Sequence, residues 1–425
     1  MEKFKLPKIP KSYLSYISLA IVGLICVVSY NTSPFHSTLT GDEPYYLSEV
    51  KYLAEYGFYN SLSQGTSFAY TSMLYIFSKI IHADFEVSMK IFSTISYLLS
   101  CFVLLKILGC FKKIDNETKY VGMLFYAYCY CGHMCLLLPN ATNALFVMLG
   151  ILSLLKLNNY KGIALSGLMF FIAFIVKPIA LFYIPGILLY LIIDNRNDIM
   201  TRLKNCSLFF AIFITGFIIY HIPSYQRYGK LMLEDKNHTY AAGIRKESQV
   251  PADQKSIYYI VYNPNKRINI WLVTVNEVEE FKEKHPEIKL NLSHTEFIKT
   301  YTKIWLTNSM EKIFLDIPFH VDLGIYYHKW TTVNKWINNL TIIKFGSLLI
   351  LLFCCYKERE FIGANRFLIA PLVYLCFLSL YLIAQLENGW LLSSIPFFAL
   401  PILQYSQRKL SVYVVLLGEV LILFL

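Results

Sequence analysis

Residues 13–30 read YLSYISLAIVGLICVVSY, and the acidic stretch TGDEPYY follows at residues 40–46. The first segment is apolar and close to the roughly 20 residues that a helix needs to cross a bilayer. No small-residue cleavage site follows it, so we interpret it as a retained membrane span. The second segment places two carboxylates, Asp42 and Glu43, beside that span. Pro44 suits the first turn of a helix and Gly57 its end, which predicts a short amphipathic helix on the bilayer surface.

The composition of the whole chain is typical of a membrane protein. Of its 425 residues, 56% are hydrophobic and only 16% are charged, and the mean hydropathy is +0.46. Soluble domains of this length carry more charge and shorter apolar runs. Apolar length predicts spans near residues 13–30, 86–109, 120–138, 141–156, 162–176, 178–193, 206–222, 337–356, 367–385, 391–405 and 410–425. We therefore predict an all-α polytopic membrane protein with about 11 transmembrane helices.

These spans divide the chain into three parts. Residues 1–222 form an N-terminal transmembrane module, with a first outer loop at 31–85 that contains the acidic pair and the surface helices. Residues 223–336 are polar and too long for a structureless loop, so we expect an outer subdomain with helices near 276–284 and 295–310. Residues 337–425 contain the C-terminal transmembrane helices.

The distribution of positive charge predicts the orientation. Lysines and arginines gather in the N-terminal segment and in every second loop, whereas the short loops at 139–143 and 386–390 contain none. Loops rich in Lys and Arg stay on the cytoplasmic side, so we expect a cytoplasmic N-terminus. The net charge of +11 is then explained by membrane topology, and no motif for nucleic acid accompanies it. The acidic pair, the 139–143 turn, Lys177 and Glu387 all face outward.

The cysteines and histidines give no clear metal site. Cys129, Cys131 and Cys135 lie in one apolar segment, and on a helix Cys129 and Cys131 point well apart, which favours packing over metal binding. A His-x-Asp pair at His320 and Asp322 could bind a metal, but such groups are more often solvated loop residues. We therefore name no metal ligands and no certain cofactor, and the need for a divalent metal stays open.

Three outward-facing groups are candidates for chemistry, and each also has a structural explanation. Asp42 and Glu43 would cap the following helix, yet capping calls for one acidic residue and not two. Lys177 is a snorkelling lysine or a cation that binds a phosphate, and its position on the lysine-poor side favours phosphate binding. Arg227 is a second phosphate candidate or an ordinary arginine beside the membrane.

Several segments together resemble the GT-C membrane glycosyltransferases, in particular the protein O-mannosyltransferase and lipid-A aminoarabinose transferase type. The resemblance begins with the apolar first span, the Asp42-Glu43 loop and the aromatic surface helix. It continues in segments 138–146, 167–178, 223–229 and 393–401. Two positions depart from the pattern. Asn143 stands where the family often has an acidic residue, and Glu387 stands near the place of an expected basic residue.

The resemblance implies a polyprenyl-phosphate sugar as donor and a lipid or glycan as acceptor. Asp42 would be the general base, Glu43 would orient the acceptor or the base, and the donor phosphate would bind Lys177 and Arg227. The remaining candidates for substrate contact are Tyr45, Tyr46, Asn140, Asn143, Glu387 and Trp390, with the aromatic rings, Tyr70 among them, placed to stack on sugar. We expect a multi-pass protein of the bacterial plasma (inner) membrane that modifies cell-envelope glycans such as lipopolysaccharide.

Two other function classes stay open. An O-antigen polymerase or ligase has many spans and a large outer loop, but usually places arginines in that loop and lacks an early Asp-Glu pair. A flippase or transporter of lipid-linked sugars predicts internal repeats and charges at the bilayer midplane. Neither feature is present in this sequence.

Overall fold

The computed structural model describes residues 20–24, 43–61, 68–130, 137–157, 159–193, 198–228, 256–263, 268–284, 286, 353–381 and 393–406. The helices of the first half are α1 (Glu43–Ser61), α2 (Phe68–Ile81), α3 (Phe85–Cys110), α4 (Asn116–Tyr130), α5 (Asn140–Leu157) and α6 (Tyr160–Val176). A 3₁₀ segment, Pro178–Tyr183, leads into α7 (Ile184–Ile193) and α8 (Ile199–Tyr228). Then come strands β1 (Ser256–Asn263) and β2 (Ile268–Thr274) and helix α9 (Val275–Lys284). The last elements are α10 (Arg359–Ala364), the 3₁₀ turn Arg366–Leu368, α11 (Ile369–Tyr381) and α12 (Ile395–Ser406).

Three of the described helices are long and apolar enough to cross a membrane. They are α3, α5 and the Ile199–Pro223 part of α8. Phe68–Ile81, Tyr160–Val176 and Pro178–Ile193 are apolar but shorter. These helices identify a membrane protein. The spans expected near 13–30, 337–356 and 410–425 lie largely or wholly outside the described residues, so the expected total of about eleven stays a prediction.

The interior of the bundle is built on α5, whose side chains are buried along most of its length. Helices α3 and α6 both pack against it. Helix α6 also approaches α8 closely at Gly167, where a Cβ atom would lie 2.8 Å from the carbonyl oxygen of Phe209. By contrast, large apolar side chains on α3 and α8, such as Phe102 and Ile219, are exposed. In a membrane these side chains face lipid.

The loops expected on the cytoplasmic side come together at one end of the bundle. The Asn365 side chain accepts a hydrogen bond from the backbone N–H of Lys112 and donates one to the Lys112 carbonyl, each at 2.8 Å. At the end of α12, the Gln404 amide donates to the Asp115 carboxylate at 3.0 Å. Segments that are distant in sequence therefore share one polar layer, in agreement with the alternation of charged loops.

Helix α1 differs in part from the expected surface helix. It begins at Glu43 and is interrupted at Gly57, which has a left-handed φ of 79°, before it ends at Ser61. Its apolar face was expected on the bilayer, but Tyr46 and Val50 are buried in a cluster with α2 and the turn at Leu137. The helix face therefore packs against protein, because two other elements supply a complementary apolar surface.

The polar region after α8 contains a β-hairpin, which the predicted all-α fold does not include. Strands β1 and β2 pair antiparallel, with Tyr259 opposite Leu272. Helix α9 follows and confirms the helix expected near 276–284, whereas the helix expected near 295–310 lies outside the described residues. The described part of the chain is thus largely helical, but not all-α. The β-branched and aromatic residues of SIYYIVYN and INIWLVT are the signal that could have found these strands.

Candidate functional site

The predicted outer groups begin to assemble at Glu43, in the first turn of α1. Its side chain is only 1% exposed. One carboxylate oxygen, Oε1, accepts a hydrogen bond of 2.8 Å from the backbone N–H of Leu137, a residue 94 positions further along the chain. A buried carboxylate needs such a partner, since an unpaired charge in the interior is costly. The Glu43 side chain therefore links the start of α1 to the turn that precedes α5 through this hydrogen bond.

Lys177 reaches the same turn from the end of α6. Its Nζ donates to Oδ1 of Asn140, the first residue of α5, at 2.5 Å. The backbone of Lys177 is extended, as expected for a residue before a proline, and this ends α6. Pro178 then opens the 3₁₀ segment. The half-buried lysine is thereby held over the start of α5, at the opposite end of that helix from Lys156.

Asn143 completes the junction between α5 and α6. It is 6% exposed, and its Nδ2 donates to the carbonyl of Ala173 at 2.8 Å and to that of Lys177 at 3.1 Å. A carboxylate could not make these bonds, because it has no hydrogen to donate. This geometry gives a physical reason for an amide at a position where the resembled family often has an acid.

The aromatic candidates have a different environment from the one expected. The ring of Tyr46 packs edge-on against that of Tyr70, with centroids 5.5 Å apart, and both rings are buried. In this arrangement they pack with Leu137 and Val176 in one buried apolar cluster. Their surfaces are therefore committed to packing and do not present a face to a sugar.

The remaining predicted residues are described only in part or not at all. Asp42, Glu387 and Trp390 lie outside the described residues. The backbones of Tyr45 and Arg227 belong to α1 and α8, but their side chains are not described. The structure thus brings together Glu43, the 137–143 turn and Lys177.

Sequence reasoning missed the backbone amide of Leu137, which contacts Glu43. A backbone amide carries no residue-type signal, so only the fold reveals this contact. Within the described residues, no group of three or more His, Cys, Asp and Glu side chains is arranged to hold a metal ion. Cys131, Cys135 and His320 lie outside those residues.

Comparisons with known proteins support the fold at a coarse level. No known family model matches the sequence, and no curated protein matches it. Among solved structures, the archaeal oligosaccharyltransferase AglB from Archaeoglobus fulgidus, in complex with an inhibitory peptide and a dolichol-phosphate, has a similar fold. The TM-score is 0.50 and the identity is 11%, over 95% of this chain and 52% of that one. The chain thus spans about half the length of AglB, and at this identity the similarity concerns the fold alone.

Proposed function

We propose that this protein is a membrane glycosyltransferase that moves a sugar from a polyprenyl-phosphate carrier to a lipid or glycan acceptor outside the cytoplasm. The observation that supports this most strongly is the junction of Glu43, the 137–143 turn and Lys177. It gathers the buried acid, two amides and a half-buried lysine at one place. The same proposal includes a location of the protein in the bacterial plasma membrane and a role in cell-envelope glycan modification.

Asp42 is the proposed general base, because it directly precedes the anchored Glu43. Its carboxylate takes the proton from the acceptor hydroxyl, and the oxygen attacks the anomeric carbon of the sugar. The bond from that carbon to the phosphate oxygen breaks, and the carrier leaves as a phosphate. Direct attack inverts the anomeric centre. A carboxylate suits this role since its usual pKa, about 4, leaves it ionised at neutral pH.

Lys177 is the proposed partner of the donor phosphate. Negative charge grows on the bridging oxygen as the carrier leaves, and a nearby ammonium stabilises that charge. The bond to Asn140 holds the ammonium in place without neutralising it, because an amide oxygen carries no net charge. Arg227, at the end of α8, is a second candidate for this role.

The solved structure with a similar fold adds support for the class of donor. The AglB structure is a complex with an inhibitory peptide and a dolichol-phosphate. A lipid phosphate is the kind of group that a lysine at the end of a membrane helix can bind. We extend only this general chemistry to the present chain, as a lipid-linked donor and a separate acceptor.

The proposal is tested by sugar transfer from radiolabelled polyprenyl-phosphate sugars in membranes that contain the protein. Asp42→Asn should reduce turnover by at least ~100-fold, as expected for loss of a general base. The matched control is Asp84→Asn. Asp84 caps α3 by accepting from the N–H of Glu86, and an asparagine can make the same bond. Full activity of the Asp42→Asn protein would contradict the assignment of the base.

The phosphate role of Lys177 needs its own measurement. Lys177→Ala should weaken binding of the donor by roughly tenfold or more, through loss of one charge-assisted contact. Lys161→Ala is the control, because Lys161 is an exposed lysine at the other end of the same helix. Equal donor affinity in the two variants would rule out Lys177 as the phosphate partner.

A further inference from the structure

Two buried hydroxyl groups near Glu43 have no hydrogen-bond partner within the described residues. They are Oη of Tyr70 on α2 and Oγ of Ser93 on α3. Both side chains are 0% exposed. A buried hydroxyl without a partner destabilises the folded state, because it has lost its hydrogen bonds to water. Two such groups side by side therefore indicate that something polar completes them.

Ring contacts join Tyr70 to the helices that carry Glu43 and Ser93, because its ring centroid also lies 6.4 Å from that of Phe92, the residue before Ser93 on α3. Tyr46, whose ring contacts that of Tyr70 at 5.5 Å, lies three residues after Glu43 and so on the same face of α1. Burial raises the pKa of the Tyr70 phenol, and the Glu43 carboxylate raises it further. Ser93 is close enough to lower that pKa, although the two hydroxyls do not meet in hydrogen-bond geometry.

We propose that Tyr70, Ser93 and Glu43 together hold one ordered water molecule, and that Tyr70 is a positioning residue. Buried waters typically make about three hydrogen bonds to polar groups that otherwise lack partners. Tyr70 and Ser93 each supply a hydroxyl, and the carboxylate supplies a strong acceptor. Through this water, Tyr70 fixes the Glu43 carboxylate on the N–H of Leu137 and so sets the position of the 137–143 turn.

Tyr70→Phe is the direct test, because it removes one oxygen and keeps the packed ring. The measurement is hydrogen–deuterium exchange, read by mass spectrometry on peptides that contain Leu137. Loss of the water bridge loosens the contact between Glu43 and Leu137, so the amide should exchange about tenfold faster. Ser93→Ala should produce the same change. Apparent thermal stability should stay close to that of the parent protein.

The matched control is Tyr183→Phe. Tyr183 is also fully buried, and its hydroxyl also lacks a partner within the described residues, but its ring stacks on Tyr374 in the main core. We expect no change in Leu137 exchange there. Equal exchange in the Tyr70→Phe and Tyr183→Phe proteins, or parental exchange in both, would overturn the proposal.

A double-mutant cycle separates positioning from general destabilisation. In a Glu43→Gln background, Tyr70→Phe should accelerate Leu137 exchange by much less than tenfold, because the carboxylate end of the network is already altered. Additive effects would contradict the shared water. A catalytic consequence rests on the proposed function: Tyr70→Phe should lower kcat several-fold and leave the KM for the donor unchanged. If the parent protein transfers no sugar while the exchange results hold, the proposed function fails and the water site stands.

Discussion

Replacement of Asn143 by aspartate tests how the junction between α5 and α6 is held. The two side chains have nearly the same shape, but an ionised aspartate cannot donate a hydrogen bond. Asn143→Asp therefore removes both bonds from Nδ2 to the carbonyls of Ala173 and Lys177. It also places a negative charge beside two carbonyl oxygens. Asn143→Ala removes the same two bonds without adding the charge.

The two carbonyls set the magnitude for the alanine variant. Each keeps another donor: Lys177 N–H bonds to the Ala173 oxygen, and Ala180 N–H bonds to the Lys177 oxygen. Neither oxygen is left without a partner, so each lost hydrogen bond lowers the free energy of unfolding by its net contribution of about 1 kcal/mol. We expect Asn143→Ala to lower the free energy of unfolding by about 2 kcal/mol.

The aspartate variant should be destabilised further, by at least ~1–3 kcal/mol, because its buried charge has lost favourable solvation. Burial and the two carbonyl oxygens raise the folded-state pKa of the new carboxyl above its unfolded value of about 4. The folded state then binds the proton more tightly, so the extra destabilisation is small below about pH 4, grows as the pH rises from there to the folded-state pKa, and stays constant at higher pH.

Unfolding of the detergent-purified protein at several pH values measures these effects. The matched control is Asn159→Asp at the other end of α6. Asn159 uses its side-chain oxygen to accept from the N–H of Gly162, and aspartate accepts equally well. The control should keep parental stability. An Asn143→Asp protein as stable as the parent at neutral pH would refute the reasoning. The attraction of the new charge to the Lys177 ammonium would then outweigh its repulsion by the two carbonyl oxygens.

Two further predictions concern the rest of the bundle. Gly186→Ala should lower the free energy of unfolding by about 1–3 kcal/mol, because its Cβ would lie 2.6 Å from the carbonyl oxygen of Ala370. Gly363→Ala is the control and should not lower it, because the space around the new Cβ is open. Equal unfolding midpoints of the two variants would contradict this close approach. Asn365→Ala should cost about 2–4 kcal/mol, because the side chain makes three hydrogen bonds, two of them to the backbone of Lys112. Unchanged unfolding of that variant would show that the loops at this end are held by other contacts.

The positions of several helices were predictable from the sequence. The spans expected at 86–109, 141–156 and 162–176 correspond to helices Phe85–Cys110, Asn140–Leu157 and Tyr160–Val176. The reason is that the bilayer fixes the length of an apolar run, and charged loops mark its ends. The hairpin escapes a prediction based on apolar length, because its strands are short runs of β-branched and aromatic residues.

Part of the candidate site was also predictable. Asn140, Asn143 and Lys177 were selected because they are polar groups at a membrane boundary, and the fold places them in contact. Their partners could not be predicted, because hydrogen bonds to backbone groups depend on the approach of distant segments. The expected role of Glu43 is to orient the acceptor or the base, and the structure gives its carboxylate a buried contact with the N–H of Leu137.

The sequence by itself determined a membrane protein, the course of its main helices and the group of loops that carries the positive charge. These properties follow from local composition, since each apolar run and each lysine acts through its own contact with lipid or water. Only the tertiary structure decided that the apolar face of α1 packs on protein, that Asn143 is a donor to two carbonyls, and that the buried hydroxyls of Tyr70 and Ser93 lack partners within the described residues. Those outcomes depend on which surfaces meet, and no single segment of the sequence specifies that.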